Sequence, residues 1–253
     1  MSKILGFTKT VEDLTVQETE RMFWLLTRVF LGVDKEVFAH DLREKEVVML
    51  LRRDLPNGEI VGFSTLMVLD LQVFGRSVMG VFSGDTVVVD ACRCSAGFGV
   101  EIMRYFVHVL ESHPAREVYY ILMSKGWRTY RVLPFFFRHF LPRPDGEDQA
   151  QDLVVRDAFG LLKYPEEYDP GSGRVLFSRE TQRLVPGSID AEPPQKLDTY
   201  TRFFFEKNPT YLTGTELVCV APIARANFTA TAIRLLGSCR KQRREDELHN
   251  HHL

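Results

Sequence analysis

The stretch "DTVVVDACRCSAGFGVEIM", residues 85–103, constrains the fold of this chain more than any other. A β-branched run, Val87, Val88 and Val89, enters a short polar turn, and Gly97 and Gly99 then open an amphipathic helix. In "GFGVEIMRYFVHVLESH" the residues Ile102, Phe106, Val109 and Leu110 share one face. Pro114 ends this helix and "REVYYILMS" returns as a strand. A strand–helix–strand unit of this length joins parallel neighbours. A helix that starts on such a turn aims unpaired backbone N–H groups outward, and with the helix dipole they favour an anion. The two glycines either let a phosphate approach the backbone or only let the helix pack closely on the sheet.

The preceding elements fit an antiparallel lead-in. Thr15 with Glu18 forms a capping-box pattern before the apolar spacing of "VQETERMFWLLTRVF", and Asp34 caps "KEVFAHDLREK". "EVVMLLRRD", "EIVGFSTLMVLDL" and "SVMGVFSGDTVVV" read as three strands, with a turn at 56–58 and another near Gly75. The expected order is two helices, three strands, a helix and a strand, which makes a mixed α/β sheet flanked by helices.

Beyond residue 126, "WRTYRVLPFFFRHFLPRP" carries Pro134 inside a helical pattern and predicts a kink or two short helices. "EDQAQDLVVRDAFGLLKY" and "LDTYTRFFFEK" predict helices, and 165–194 predicts loop around the short strand "RVLFS". "TELVCVAPI" predicts a buried strand that needs a sheet to join, followed by a helix to about Leu236 and a charged tail. Residues 1–223 are therefore expected to form one domain, with 145–215 an elaboration and 224–253 a helix and tail.

Composition narrows the partners. Net charge is −2, which favours neither nucleic acid nor a membrane surface. No apolar run reaches the roughly 20 residues of a membrane span, and the first residues carry no signal-peptide pattern. Four cysteines do not make a disulfide framework and suit a reducing cytoplasm.

The segment resembles the acyl-CoA loop of the GNAT acyltransferase superfamily, and the resemblance extends over roughly residues 10–140, with "TELVCVAPI" as a final strand. Val89 ends the strand, Gly97 and Gly99 are the glycine pair, and Phe98 fills the apolar slot between them. One position departs: Cys94 stands where the family has Arg or Gln, and Arg93 lies one residue early. The resemblance implies a GNAT-like fold with a C-terminal helical elaboration. It also implies an acetyl-CoA or other acyl-CoA co-substrate between the strands at 78–89 and 117–123. The amides of Cys94, Ser95, Ala96, Gly97, Phe98, Gly99 and Val100, with Arg93 beside them, would hold its pyrophosphate. The strand edge at Val87, Val88 and Val89 would pair with its pantetheine arm.

In this family the acceptor amine attacks the thioester directly, so a base and an acid suffice. Asp85, Asp90 and Asp70 are candidates for the base. Asp85 is preferred because it follows Ser83 and Gly84, where a bulge can aim it inward. For the acid, the resemblance implies a Tyr on the helix after the next strand; Tyr130 is the nearest, or else a core aromatic, and counting from the strand end places Arg131 in that slot as readily. Tyr119 and Tyr120 are expected to pack on opposite faces of their strand. Cys92 and Cys94 lack further ligands, so no metal is expected, and a covalent acyl route through Cys94 ranks low. His139 has no recognisable partner. The clusters "LPFFFRHFLP" and "RFFFEKNP" form either core or a wide apolar pocket. The expected function is acyl transfer, most simply acetyl, to an amine on a small molecule. A long-chain or carrier-bound donor and a non-catalytic CoA-binding or interaction module are the alternatives. A homodimer or a carrier protein is a possible partner.

Overall fold

The computed structural model describes residues 3–55, 58–89, 92, 97–146, 148–177, 182–188 and 190–237. β1 (Ile4–Thr10) leads into α1 (Val16–Val29), β2 (Phe30–Leu31) and α2 (Lys35–Arg43). β3 (Val47–Arg53), β4 (Ile60–Val73) and β5 (Arg76–Val88) follow as a meander, then α3 (Gly97–Ser112) and β6 (Val118–Ser124). The second half holds α4 (Trp127–Tyr130), α5 (Val132–Phe136), α6 (Ala150–Lys163), β7 (Tyr168–Asp169), β8 (Arg174–Val175), β9 (Arg183–Leu184), α7 (Thr199–Lys207) and β10 (Glu216–Pro222). A last helix, α8, covers 230–237.

Eight strands form one sheet in the order β1-β3-β4-β5-β6-β10-β8-β7, and β2 pairs with β9 in a separate two-stranded ladder. The β5–β6 pair is parallel, as a crossover through α3 requires, and the other pairs are antiparallel. This is the mixed α/β sheet that the element order predicts. "TELVCVAPI" joins it beside β6, with Cys219 opposite Leu122. β1 is an element that the sequence reading lacks. Its residues, half-buried or exposed, form the edge strand and pair with β3.

Local chemistry explains the helix starts. Thr15 and Glu18 close the expected capping box, and Glu18 also accepts from Lys9 at 2.9 Å and from Arg52 at 2.5 Å. Asp34 accepts from the amides of Glu36 and Val37. Around Pro134 the chain makes α4 and α5 in place of one helix, because proline cannot donate to the preceding turn.

The sheet is covered on both faces. Met22, Leu25 and Phe38 from α1 and α2 pack with Val48, Phe63 and Val87 on one face. α6 continues that side, placing Val155 and Phe159 against Phe82, Tyr119 and Ile121. α3 covers the other face, with Phe106 against Val81 and Tyr120. Tyr119 and Tyr120 thus serve opposite cores, as alternation along a strand demands. Both aromatic clusters contribute to packing: Phe136, Phe137, Phe140 and Phe204 are buried, Tyr120 stacks on Phe137 at 5.9 Å, and Phe106 meets the same ring tilted at 5.7 Å.

Candidate active site

β5 and β6 pair from Met79–Val118 to Ser83–Leu122, whereas β5 runs on to Val88 beside β4. The two central strands therefore part after Ser83. On the β4 side the register shifts between Ser64 and Leu66, so that Gly84 and Asp85 together stand opposite Thr65. This is the β-bulge expected at Asp85, and a bulge at a strand end redirects side chains and increases local twist. Gly84 has a steric reason. A Cβ there would lie 2.6 Å from Thr65 Oγ1 and 2.9 Å from Lys45 Cε.

Asp85 is partly buried among charges from four other places in the chain. Burial is the largest influence on its carboxyl, and the carboxylates of Asp41 and Glu216 add to it. The ammonium groups of Lys125 and Lys45 oppose them, and the pKa is pushed up to about 6. Lys125 Nζ lies 3.1 Å from Glu216 Oε1, and Lys45 Nζ lies 3.5 Å from Asp41 Oδ2. Lys45 is only 5% exposed and also faces the Phe82 ring, 5.6 Å from its centre. Tyr164, at the C-terminal end of α6, lies within electrostatic reach of Asp85, Asp41, Glu216 and Glu44. Burial above all, then these carboxylates, raises its pKa. A carboxyl titrating near neutrality beside a gap between strands is suited to move a proton. The sequence reading named Asp85 as a candidate; Lys45, Lys125, Glu216 and Tyr164, which the fold gathers around it, come from distant segments and share no motif.

The turn has a mixed outcome. Asp90, Arg93, Cys94, Ser95 and Ala96 lie outside the described residues. Val87 is buried against α1, whereas Val88 packs with Leu51, Val61 and Cys92. Val89 donates to Val61 O at 2.9 Å, extending the β4 pairing by one residue. Gly97, Phe98, Gly99 and Val100 form the first turn of α3, with Phe98 wedged between two hydrophobic clusters. At Gly99 a Cβ would stand 3.0 Å from Leu235 Cδ1 and 3.7 Å from Phe136 Cζ, so close packing accounts for that glycine. Glu101, just after this first turn, is buried and accepts from Arg104 at 2.6 Å and from Thr8 at 3.2 Å.

Tyr130 occupies the core. It is fully buried, donates to Pro142 O at 2.8 Å and packs on Phe140, Phe203 and Phe204. Burial raises its pKa, and its proton is committed to that carbonyl. Of the two readings of Tyr130, this environment fits the core aromatic. Arg131 pairs with Asp198 at 2.9 Å, and Asp70 pairs with Arg116 and Ser77 at the far end of the β4–β5 hairpin. His139 does have a partner: its Nε2 lies 2.5 Å from Asp152 Oδ2, and Asp152 also accepts from the Tyr119 hydroxyl at 2.9 Å. Among the described residues no group of three or more His, Cys, Asp or Glu is placed to share a metal ion.

No family model and no curated protein matches the sequence. Solved structures with partial likeness include a probable N-acyltransferase from Enterococcus faecalis, at 12% identity and TM-score 0.41 over 54% of this chain and 33% of that one. The GNAT family N-acetyltransferase YhbS from Escherichia coli, solved with CoA, is 15% identical with TM-score 0.37, covering 49% of this chain and 64% of its own. N-myristoyltransferase from Saccharomyces cerevisiae, with myristoyl-CoA, is 16% identical with TM-score 0.37 over 62% and 40%. This chain thus spans a third to about two thirds of these neighbours. The reading of the fold rests on this chain's own element order and parallel β5–β6 pair, which agree with the element order that carries the GNAT resemblance.

Proposed function

We propose that the protein is an acyl-CoA-dependent N-acyltransferase that binds the thioester in the gap between β5 and β6. The observation that carries this reading is the parting of the strands after Ser83, with Asp85 on a bulge at the fork. Among the described residues, the edge of β5 from Asp85 to Val88 that faces the gap has no strand partner, and unpaired backbone groups recruit an extended amide-bearing ligand. A pantetheine arm is such a ligand. Asp85 accepts the proton of the acceptor amine as its nitrogen attacks the thioester carbonyl carbon. The C–N bond forms, the C–S bond breaks, and the departing thiolate takes a proton. Solvent supplies it, since burial and the neighbouring carboxylates raise the pKa of the Tyr164 phenol and make it a poorer acid. Acetyl is the simplest acyl group, and the acceptor is an amine on a small molecule.

A thermal-shift titration with acetyl-CoA, free CoA, a long-chain acyl-CoA and NAD tests the reading. Ligand at 100 times its dissociation constant adds about 2.7 kcal/mol, which a melting curve resolves readily. Stabilisation by the CoA series alone, with thiol release in the presence of an amine, is expected. The order of the series selects the donor. Stabilisation without thiol release in any amine screen identifies a CoA-binding module, and no stabilisation removes the acyl-CoA assignment.

A further inference from the structure

A groove of about 300 Å³ runs between α1 and the end of β5, walled by Trp24, Arg28 and Val29 on the helix and by Val87, Val88 and Val89 on the strand. Trp24 is 46% exposed, unusual for so large a ring in a helix whose next two residues are fully buried. The ring is held in place. The Arg21 guanidinium lies 4.1 Å from its centre, and Arg21 is itself fixed by Glu59 and by Ile60 O. Arg28 is exposed, 5.7 Å from the same ring, and pairs with no carboxylate among the described residues. A cation in the last turn of a helix is ordinary by itself. Beside a fixed, open indole and an apolar groove it forms a compound recognition site, a flat apolar wall with a two-pronged cationic end.

We infer that this groove holds the acceptor, an amine with a flat or apolar body and a carboxylate that meets Arg28. The inference rests on the acyltransferase reading and names its substrate class. A strand advances about 3.3 Å per residue, so the groove begins roughly 7 Å from Asp85 and ends about 13 Å away. A molecule some 10 Å long therefore reaches from Asp85 along the strand wall into the groove that Arg28 helps to line. The donor is disfavoured by the charge of the groove. Leu25 and Val87 belong to the α1 face, while Val88 and Val89 share a cluster with Phe98 at the start of α3. One arginine matches one planar carboxylate, whereas a dianionic phosphate monoester calls for more positive charge.

The test uses the two tryptophans as paired reporters. Trp127 is buried and its indole donates to Glu192 O, so its ¹⁵N–¹H signal is the internal control for folding. The probes are N-acetylphenylalanine and N-acetylphenylalaninamide, which differ only in the carboxylate. The acid is expected to shift the Trp24 indole signal saturably, and the amide to bind at least about tenfold more weakly. Arg28→Gln should bring the acid down to the level of the amide while the Trp127 signal stays in place. Equal binding of both probes, no shift from either, or retention of the preference in Arg28→Gln overturns the inference. So does displacement of the Trp24 shift by free CoA, which assigns the groove to the donor. Because these readouts need no turnover, they are separate from the CoA titration. A preference for the acid without stabilisation by CoA would remove the acyltransferase reading and leave a site for acidic ligands.

Discussion

His139 Nε2 and Asp152 Oδ2 stand 2.5 Å apart and join the loop after α5 to the first turn of α6. Asp152 is 1% exposed, and its other oxygen accepts from Tyr119 on β6. A carboxylate this deep is tolerated only while its oxygens are bonded. His139→Ala removes one of these partners and should destabilise the fold by about 1–3 kcal/mol. Urea unfolding measures it directly. A midpoint equal to that of the parent would mean that the pair contributes nothing net.

Asp85 makes a prediction with opposite signs for stability and activity. Its ordinary pKa is 3.8 and its folded value about 6, so the folded chain binds more protons than the unfolded one between these values. Stability therefore falls as pH rises across that window. Asp85→Asn removes a cost of about 3 kcal/mol at neutral pH, an upper figure for a partly buried group. Denaturation should find the variant more stable near pH 7 and equal to the parent below about pH 3.8. Acyl transfer should rise through about pH 6 in the parent and fall on the order of 100-fold or more in the variant. A variant that transfers acyl groups normally would remove Asp85 from the chemistry.

Tyr130→Phe separates packing from catalysis. It leaves Pro142 O without its buried donor and should cost about 1–2 kcal/mol. Turnover at a temperature where both proteins are folded should be unchanged. Lost turnover at full stability would restore Tyr130 as a proton donor.

The two glycines of the turn should behave differently. Gly99→Val drives a branched side chain towards Leu235 and Phe136 and should loosen residues 230–237 at a cost of about 1–3 kcal/mol. Hydrogen exchange of that helix is the readout, and CoA affinity should survive. Gly97→Glu places a carboxylate at the helix start and should abolish stabilisation by CoA. CoA binding that persists in Gly97→Glu would falsify the cradle.

Much of the scaffold was legible because its signals are local. The capping box at Thr15 and Glu18, the interrupting Pro134 and the apolar face of the 97–112 helix each act within a few residues. The bulge was legible too, since Ser83 and Gly84 interrupt a β-branched run. β1 was not, because an edge strand that is nowhere fully buried carries little hydrophobic pattern. The ladder of β2 with β9 was equally hidden, being two residues on each side. The surroundings of Asp85 were out of reach for a different reason. Asp41, Lys45, Lys125, Tyr164 and Glu216 approach it through tertiary packing, and lone acids and lysines in a sequence are mostly surface residues.

The place of β10 also sets an order of assembly. As the chain leaves the ribosome, β6 is complete at Ser124, but the strand that covers its outer edge begins only at Glu216. Until Glu216–Pro222 is made, a folded β6 would lack the strand that pairs along its outer edge, where Ile121 faces Val220 in the finished sheet. Such an edge invites pairing with another nascent chain. Lys125 and Glu216 close that edge together at one end, so completion of the site coincides with the moment when the newborn protein ceases to be sticky.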